Sequence, residues 1–238
     1  MNRAEEIRDA ATVILIRRDD GTGKSAAPRV LMGQRGAAAA FMPSKFVFPG
    51  GALDPSDSGQ DDLAGLTAQC LTRLSEGGVA PGRLVAAALR ELHEETGLVL
   101  RSAPQTGAQI SPQAGLHTGP HTGPQTGPHT GPYPGGAPMR FVFRAITPPG
   151  RSRRFDARFF LADAAALAGD PDDFSDASDE LSHLAWLGLD QARQLDLPFI
   201  TEVVLAEVSN LLRGGQQPGV PFFDNSGPCP CFRRIGSA

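Results

Sequence analysis

Little in this sequence supports a disulfide-bonded, membrane-spanning or nucleic-acid-binding protein. Only three cysteines occur in 238 residues: Cys70, Cys229 and Cys231. A single proline separates the last two, so a disulfide between them is not expected, and no second Cys/His pair completes a zinc site. Trp and Tyr occur once each, which offers no stacking platform for bases. The formal net charge is −4. That gives no basic footprint for a polyanion and is too small for an acidic tail. Long hydrophobic runs are missing as well. Ala10 to Ile16 spans seven residues, too few to cross a bilayer. Arg3, Glu5, Glu6, Arg8 and Asp9 charge the N-terminus, unlike a signal peptide. The expectation is a reducing, cytoplasmic location with neither nucleic acid nor membrane as partner.

The sequence is rich in alternating apolar segments. Ala11 to Ile16 is dense in β-branched residues and predicts a buried strand. Arg29 to Arg35 predicts a strand paired with it. Phe41 to Phe48 leads into a third, ended by the turn Pro49-Gly50-Gly51. Further strands are expected at about 99–101, 140–146, 155–161 and 181–187. A short helix should begin at Asp190 and an amphipathic helix should cover 199–212. Strands, a helix, more strands and terminal helices predict an α/β sandwich with a mixed sheet between helices.

Three stretches interrupt this order. Residues 54–81 read as a helical insertion, with apolar spacing at Leu63, Leu66, Cys70 and Leu74. Residues 103–138 carry Thr-Gly-Pro at a period of four and have no apolar face to bury, so disorder is expected. The tail from about 214 is rich in Gly and Pro and is expected to be loose. The whole chain reads as a single domain.

One stretch carries chemistry: Arg90-Glu91-Leu92-His93-Glu94-Glu95-Thr96-Gly97-Leu98. On a helix of about 3.6 residues per turn, Glu91, Glu94 and Glu95 fall within an arc of roughly 100°. Val85, Leu89 and Leu92 form an apolar stripe opposite. Like charges this close repel, so the cluster calls for a cation, and hard oxygen ligands suit Mg²⁺ or Mn²⁺. Gly97 is placed to end the helix in the left-handed conformation.

These residues resemble the signature of the Nudix hydrolases: a Gly, five residues, a Glu, seven residues, then Arg-Glu-apolar-x-Glu-Glu-x-Gly-apolar. Residues 90–98 match the second half throughout. Phe48-Pro49-Gly50-Gly51 is similar to the strand end and leading glycine of the first half. Between Gly51 and Arg90 lie 38 residues, where the signature has 13. Counting forward from Gly51 reaches Asp57 and counting back from Arg90 reaches Gly82, so the upstream Glu has no clear counterpart. The resemblance implies a Nudix-type α/β/α sandwich and metal-dependent hydrolysis of a nucleoside diphosphate linked to another group. It implies Glu94 and Glu95 as metal ligands, with the carbonyl of Gly51 near the same ion. Glu91 would be a ligand or the base that accepts a water proton, and Arg90 would orient these carboxylates. A late loop commonly adds a carboxylate, here Glu180, with Asp179 second.

Phe41-Met42-Pro43, Val47 to Gly51, Thr147-Pro148-Pro149, Arg154-Phe155-Asp156 and Arg158-Phe159-Phe160 resemble one subgroup, that of the peroxisomal coenzyme A diphosphatase. This implies coenzyme A or acyl-coenzyme A as substrate. Separately, Arg151, Arg153 and Arg154 cluster in one link and Arg35 and Lys45 flank the Phe-Pro-Gly-Gly turn, which makes Arg35, Lys45 and Arg154 phosphate-binding candidates. ADP-ribose or a nucleotide sugar is the alternative substrate, and a catalytically silent binding module is the alternative class. A homodimer is left open.

Overall fold

The computed structural model describes residues 6–19, 25–58, 66–101 and 139–236. The Thr-Gly-Pro repeat lies outside the described residues.

The fold is built on β1 (Ile7–Asp19). Its Ala11, Val13 and Leu15 face one hydrophobic cluster, and Ile14 and Ile16 face the other. Both faces are covered, so the strand reads as a continuous apolar run rather than an alternating one. Val13, Ile14 and Leu15 are each 0% exposed, and burial of such side chains stabilises by about 1.5–3 kcal/mol apiece. β1 is longer than its apolar run because the chain beyond keeps pairing. It lies parallel to β7 (Arg154–Asp163) from Ile7 opposite Arg154 to Ile16 opposite Asp163.

The other side of β1 is shared by two strands. Ala10 to Thr12 pair antiparallel with β4 (Gly50–Ala52), while Ile16 and Arg17 pair with β2 (Ser25–Arg35). β2 also pairs with β3 (Phe46–Val47) and β9 (Leu181–Gly188). Beyond β7 come β6 (Met139–Ile146), β10 (Val220–Asp224) and β11 (Cys231–Ile235). A two-stranded sheet joins β5 (Val99–Leu100) to β8 (Leu167–Ala168). On one face sit α1 (Ala68–Leu74) and α2 (Pro81–Thr96); on the other, α3 (Leu189–Ala192) and α4 (Phe199–Leu212). This is the expected α/β/α sandwich with a mixed sheet.

The tail is the main correction. It was expected to be loose, yet β10 and β11 extend the main sheet, with β10 parallel to β6 at Phe222 and Phe223. Pro221 lies within β10, although proline cannot donate to a ladder. It precedes the residues that pair with β6, so its missing N–H breaks no bond of that ladder. Arg73 of α1 donates to the Pro218 carbonyl at 2.7 Å, and Arg233 pairs with Glu76 at 2.5 Å. The insertion and the tail therefore hold one another.

Candidate active site

The site grows from the contact between β4 and α2. Val13 N–H donates to the Pro49 carbonyl at 2.9 Å, which seats the Pro-Gly-Gly turn on β1. A Cβ on Gly50 would stand 2.5 Å from the Ala11 carbonyl oxygen and 2.6 Å from Thr12 Cα. Only glycine permits that approach. A Cβ on Gly51 would fall 2.3 to 2.5 Å from the Glu91 carboxylate atoms. The space a side chain would take at 51 is thus occupied by Glu91.

α2 buries Leu84, Val85, Ala87, Ala88 and Leu92, with Leu89 partly covered at the margin. Pro81 occupies its first turn, where a missing N–H costs nothing. Gly97 closes it with φ 74°, as expected. The three carboxylates do not share one exposed face, and here the structure corrects the helical-wheel expectation. Glu94 is open, with 54% of its side chain exposed, Glu91 is half-buried, and Glu95 is only 2% exposed. The apolar stripe wraps far enough around the helix to include position 95.

Burial sets the electrostatics. Glu95 is pushed up to about 8, chiefly by burial. The Gly50 N–H, donating to Oε2 at 2.7 Å, and the charge of Arg35 work against that rise, while Glu91 and Glu180 add to it. Glu91 is also raised by burial, with Arg90 opposing and Glu94 and Glu180 reinforcing. The negative charge of Glu180, from the loop before β9, thus bears on both residues. That loop is fixed to the end of α2 by Ser178 N–H, which donates to the Glu94 carbonyl at 2.9 Å.

Arg90 is the hub. Its Nη1 donates to Glu91 Oε1 at 2.9 Å and to Glu94 Oε2 at 3.0 Å. Its Nε and Nη2 hold Asp57 at 2.9 and 3.1 Å, and Nη2 also reaches the Ala52 carbonyl at 3.1 Å. The sequence left the upstream acid of the signature without a counterpart. The structure puts Asp57, the residue six after Gly51, against Arg90 and only 4% exposed. Of the two counts, the one forward from Gly51 is the one that reaches it. Burial raises the Asp57 carboxyl, but the Arg90 hydrogen bond and the turn at Asp54 bring it net below its ordinary value.

Two of the predicted phosphate-binding residues do other work. Arg154 is buried, and donates to the carbonyls of Thr147 at 3.0 Å and Asn225 at 2.7 Å. It ties the β6–β7 turn to the segment after β10 and does not join the carboxylate cluster. Lys45 is engaged by Asp196. Of the three, Arg35 alone has its charge registered at Glu95. His93 is exposed on the flank of α2.

The donor set fits a hard divalent cation in kind. Its side-chain donors are carboxylate oxygens, one of them on a buried Glu95 that accepts from the Gly50 N–H. Among the described residues, no three His, Cys, Asp or Glu side chains converge at ligand spacing. Arg90 Nη1 lies between Glu91 and Glu94.

No family model and no curated protein matches the chain. Solved structures do match. A Nudix hydrolase from Alicyclobacillus acidocaldarius is similar at 25% identity, with a TM-score of 0.53, over 84% of this chain and 90% of that one. A MutT Nudix hydrolase from Burkholderia pseudomallei matches at 17% identity and a TM-score of 0.47, over 85% and 98%. An Ap4A hydrolase from C. elegans matches at 16% identity and 0.46, over 87% and 99%. The first of these shares the sandwich around a mixed sheet over most of both chains.

Proposed function

We propose that this Nudix-fold chain is a pyrophosphohydrolase that uses Mg²⁺ or Mn²⁺ to cleave the P–O–P bridge of a nucleoside diphosphate derivative. The observation that supports it is the placing of Glu91 against Gly51 and of Glu95 on the Gly50 N–H, with Glu94 tied to the same cluster through Arg90 and the charge of Glu180 felt from the facing loop. The similar Nudix hydrolase supports the same reading. Glu91, Glu94, Glu95 and Glu180, with the carbonyl of Gly51, would hold the cation. When bound, it supplies charge neutralisation and Lewis acidity at the phosphoryl group.

The chain's own residues do the rest. Glu91 has a carboxyl raised by burial, which suits it to take a proton from the attacking water. Arg90 fixes the direction of Glu91 and Glu94 through shared hydrogen bonds. Arg35 brings positive charge toward the same centre, where an anionic substrate gains from it.

The finer substrate is coenzyme A or an acyl-coenzyme A, and ADP-ribose or a nucleotide sugar is the alternative. Coenzyme A needs a cation for its 3′-phosphate. Buried Arg154 is not available for that, whereas Arg151 and Arg153 are exposed on the β6–β7 turn. The test compares kcat/KM for coenzyme A, its 3′-dephospho form and ADP-ribose. Coenzyme A is expected to be best, and Arg151→Ala/Arg153→Ala is expected to narrow its lead over the dephospho form. A better rate with ADP-ribose in wild type would transfer the assignment to that substrate.

A further inference from the structure

We propose that the cleft between the end of α1 and the strands β10 and β11 is a second ligand site, which takes the phosphate group of a small phosphate monoester on the guanidiniums of Arg144, Arg158 and Arg233. The cleft has a volume of about 380 Å³, within the range of small-molecule sites. No carboxylate of α2 lines it, so the proposal goes beyond the functional reading and stands without it.

The charges around the cleft lie at different depths. Arg144 and Arg158 are buried, and so is Asp156, the carboxylate they share. Two other acids lie nearer the surface: the side chain of Asp9 is 36% exposed and that of Glu76 is 44% exposed. Asp9 is engaged by Arg158 and Glu76 by Arg233. Asp224 is turned onto its own loop, accepting from the Ser226 N–H at 2.9 Å and from the Ser226 hydroxyl at 2.6 Å. The acceptors are thus engaged, and the deepest donor is not. Arg158 Nη1 donates to Asp9 and, at 2.7 Å, to the Asp156 carbonyl. Its Nη2 is buried and has no hydrogen-bond partner among the described residues. A buried donor left unpaired is costly. An oxyanion satisfies such a donor, and phosphate suits several guanidiniums at once.

Gly77 keeps the approach to these donors open. Its backbone lies outside the left-handed region, so conformation does not demand glycine there. Space does. A Cβ at this position would stand 2.8 Å from Arg158 Nη2 and 3.1 Å from both Nη1 and Nη2 of Arg144. Gly77 lines the cleft together with Arg144 and Arg233. Two of the three cations are also preset in direction. The Arg144 guanidinium lies 4.3 Å and the Arg233 guanidinium 4.6 Å from the centre of the Phe222 ring, and Asp156 holds Arg144 at 2.8 and 2.7 Å. Ile7 and Ile146 line the cleft as well and offer apolar contact to the organic part of an ester. Gly77 comes from the insertion and Arg233 from the tail, so the site exists only because these two segments pack together.

The test is calorimetric titration of the full chain with phenyl phosphate and with inorganic phosphate, in EDTA, where the α2 carboxylates repel an anion. Thermal unfolding is recorded alongside. Phenyl phosphate is expected to bind at a single site, more tightly than inorganic phosphate, and to raise Tm. Gly77→Ala keeps every charge and closes the approach to Arg144 and Arg158. It is expected to weaken binding by about 10-fold or more, the worth of one hydrogen bond to a charged group. Arg233→Gln alters a half-exposed side chain and should weaken binding by about 3- to 10-fold, the range of an ordinary hydrogen bond. It carries the test if Gly77→Ala does not fold. Equal affinity for the two probes, lost together in Gly77→Ala, would keep the site and make the free ion its ligand. No binding by the wild type, or binding that either folded variant leaves unchanged, overturns the proposal without touching the metal reading of α2.

Discussion

Two arginine networks in this molecule are built from the same side chains and serve opposite ends. Around Arg90, one guanidinium meets three carboxylates, those of Asp57, Glu91 and Glu94. Glu180 adds further negative charge to the same region. Beside β6 and β7, Arg144 and Arg158 share Asp156, while Arg158 also pairs with Asp9 and Arg233 with Glu76. Arg144 lies over the Phe222 ring at 4.3 Å, and Arg158 is 1% exposed. A cleft of about 380 Å³ opens beside this second network, lined by Arg144, Asp156, Phe222 and Arg233, and no carboxylate of α2 lines it. In the second network each carboxylate has an arginine partner, and the arrangement joins β1, β6, β7, the tail and the end of the insertion. The first carries surplus negative charge in a partly open place. Balanced pairing, buried at Arg144, Asp156 and Arg158, ties strands together, whereas the unbalanced cluster leaves one arginine shared among three carboxylates.

Breaking the balanced network should have the largest effect on stability. Asp156→Asn leaves Arg144 and Arg158 buried without their shared partner, a loss of about 3–5 kcal/mol. The expected drop in Tm is on the order of 10 °C, read by differential scanning calorimetry, with activity per folded molecule retained. A Tm within one degree of wild type would erase the distinction between the networks.

Breaking the unbalanced network should do the reverse. Glu94→Gln removes a charge that is already half exposed. Turnover should fall by about 100-fold at low Mg²⁺, with Tm nearly unchanged. Near wild-type turnover would remove Glu94 from the ligand set.

How much of this contrast could be read from the sequence depends on range. The strand at β1, the helix α2 and its Gly97 cap follow from local pattern, because apolar spacing and glycine conformation act over a few residues. The nine-residue motif singled out the carboxylates of α2 as candidates. Their depths were not legible, since Glu95 is buried by contacts with residues distant in sequence. Arg154 and Lys45 looked like phosphate ligands because a charge in a loop resembles any other until its partner is known. The tail strands were obscured by their Gly and Pro surroundings, although Val220, Phe222 and Phe223 were a usable apolar signal. Asp57 was reachable by counting, yet only its contact with Arg90 gave the count meaning.

The comparison is sharpened by pH. Without added cation, Glu95 holds its proton in the folded state up to about 8, whereas the unfolded chain releases it near the ordinary value of about 4.3. Between these values the folded state binds the extra proton, so raising pH favours unfolding. Stability in EDTA should therefore decline as pH rises from about 5 to 8, by on the order of 1 kcal/mol per unit, and then level off. Glu95→Gln should flatten that slope. A slope that survives the substitution would assign the pH dependence to another group.

The smallest effect is expected from the Thr-Gly-Pro repeat. Its sequence offers no apolar face and no charged partner to either network. Deleting residues 105–132 should leave Tm within about 2 °C, since composition of this kind adds nothing to a core. A larger shift would give the repeat a structural role.

Binding of a divalent cation by the α2 carboxylates for pyrophosphate cleavage is the proposal on which the function rests. It is tested most directly by titrating Mg²⁺ against hydrolysis of coenzyme A and ADP-ribose by wild type and Glu95→Gln. The account predicts P–O–P cleavage in wild type that rises with Mg²⁺ and ceases in EDTA. It also predicts that Glu95→Gln is folded, at least as heat-stable near pH 8, and inactive at every Mg²⁺ concentration. Cleavage that persists in EDTA, or a Glu95→Gln variant as active as wild type, would contradict it.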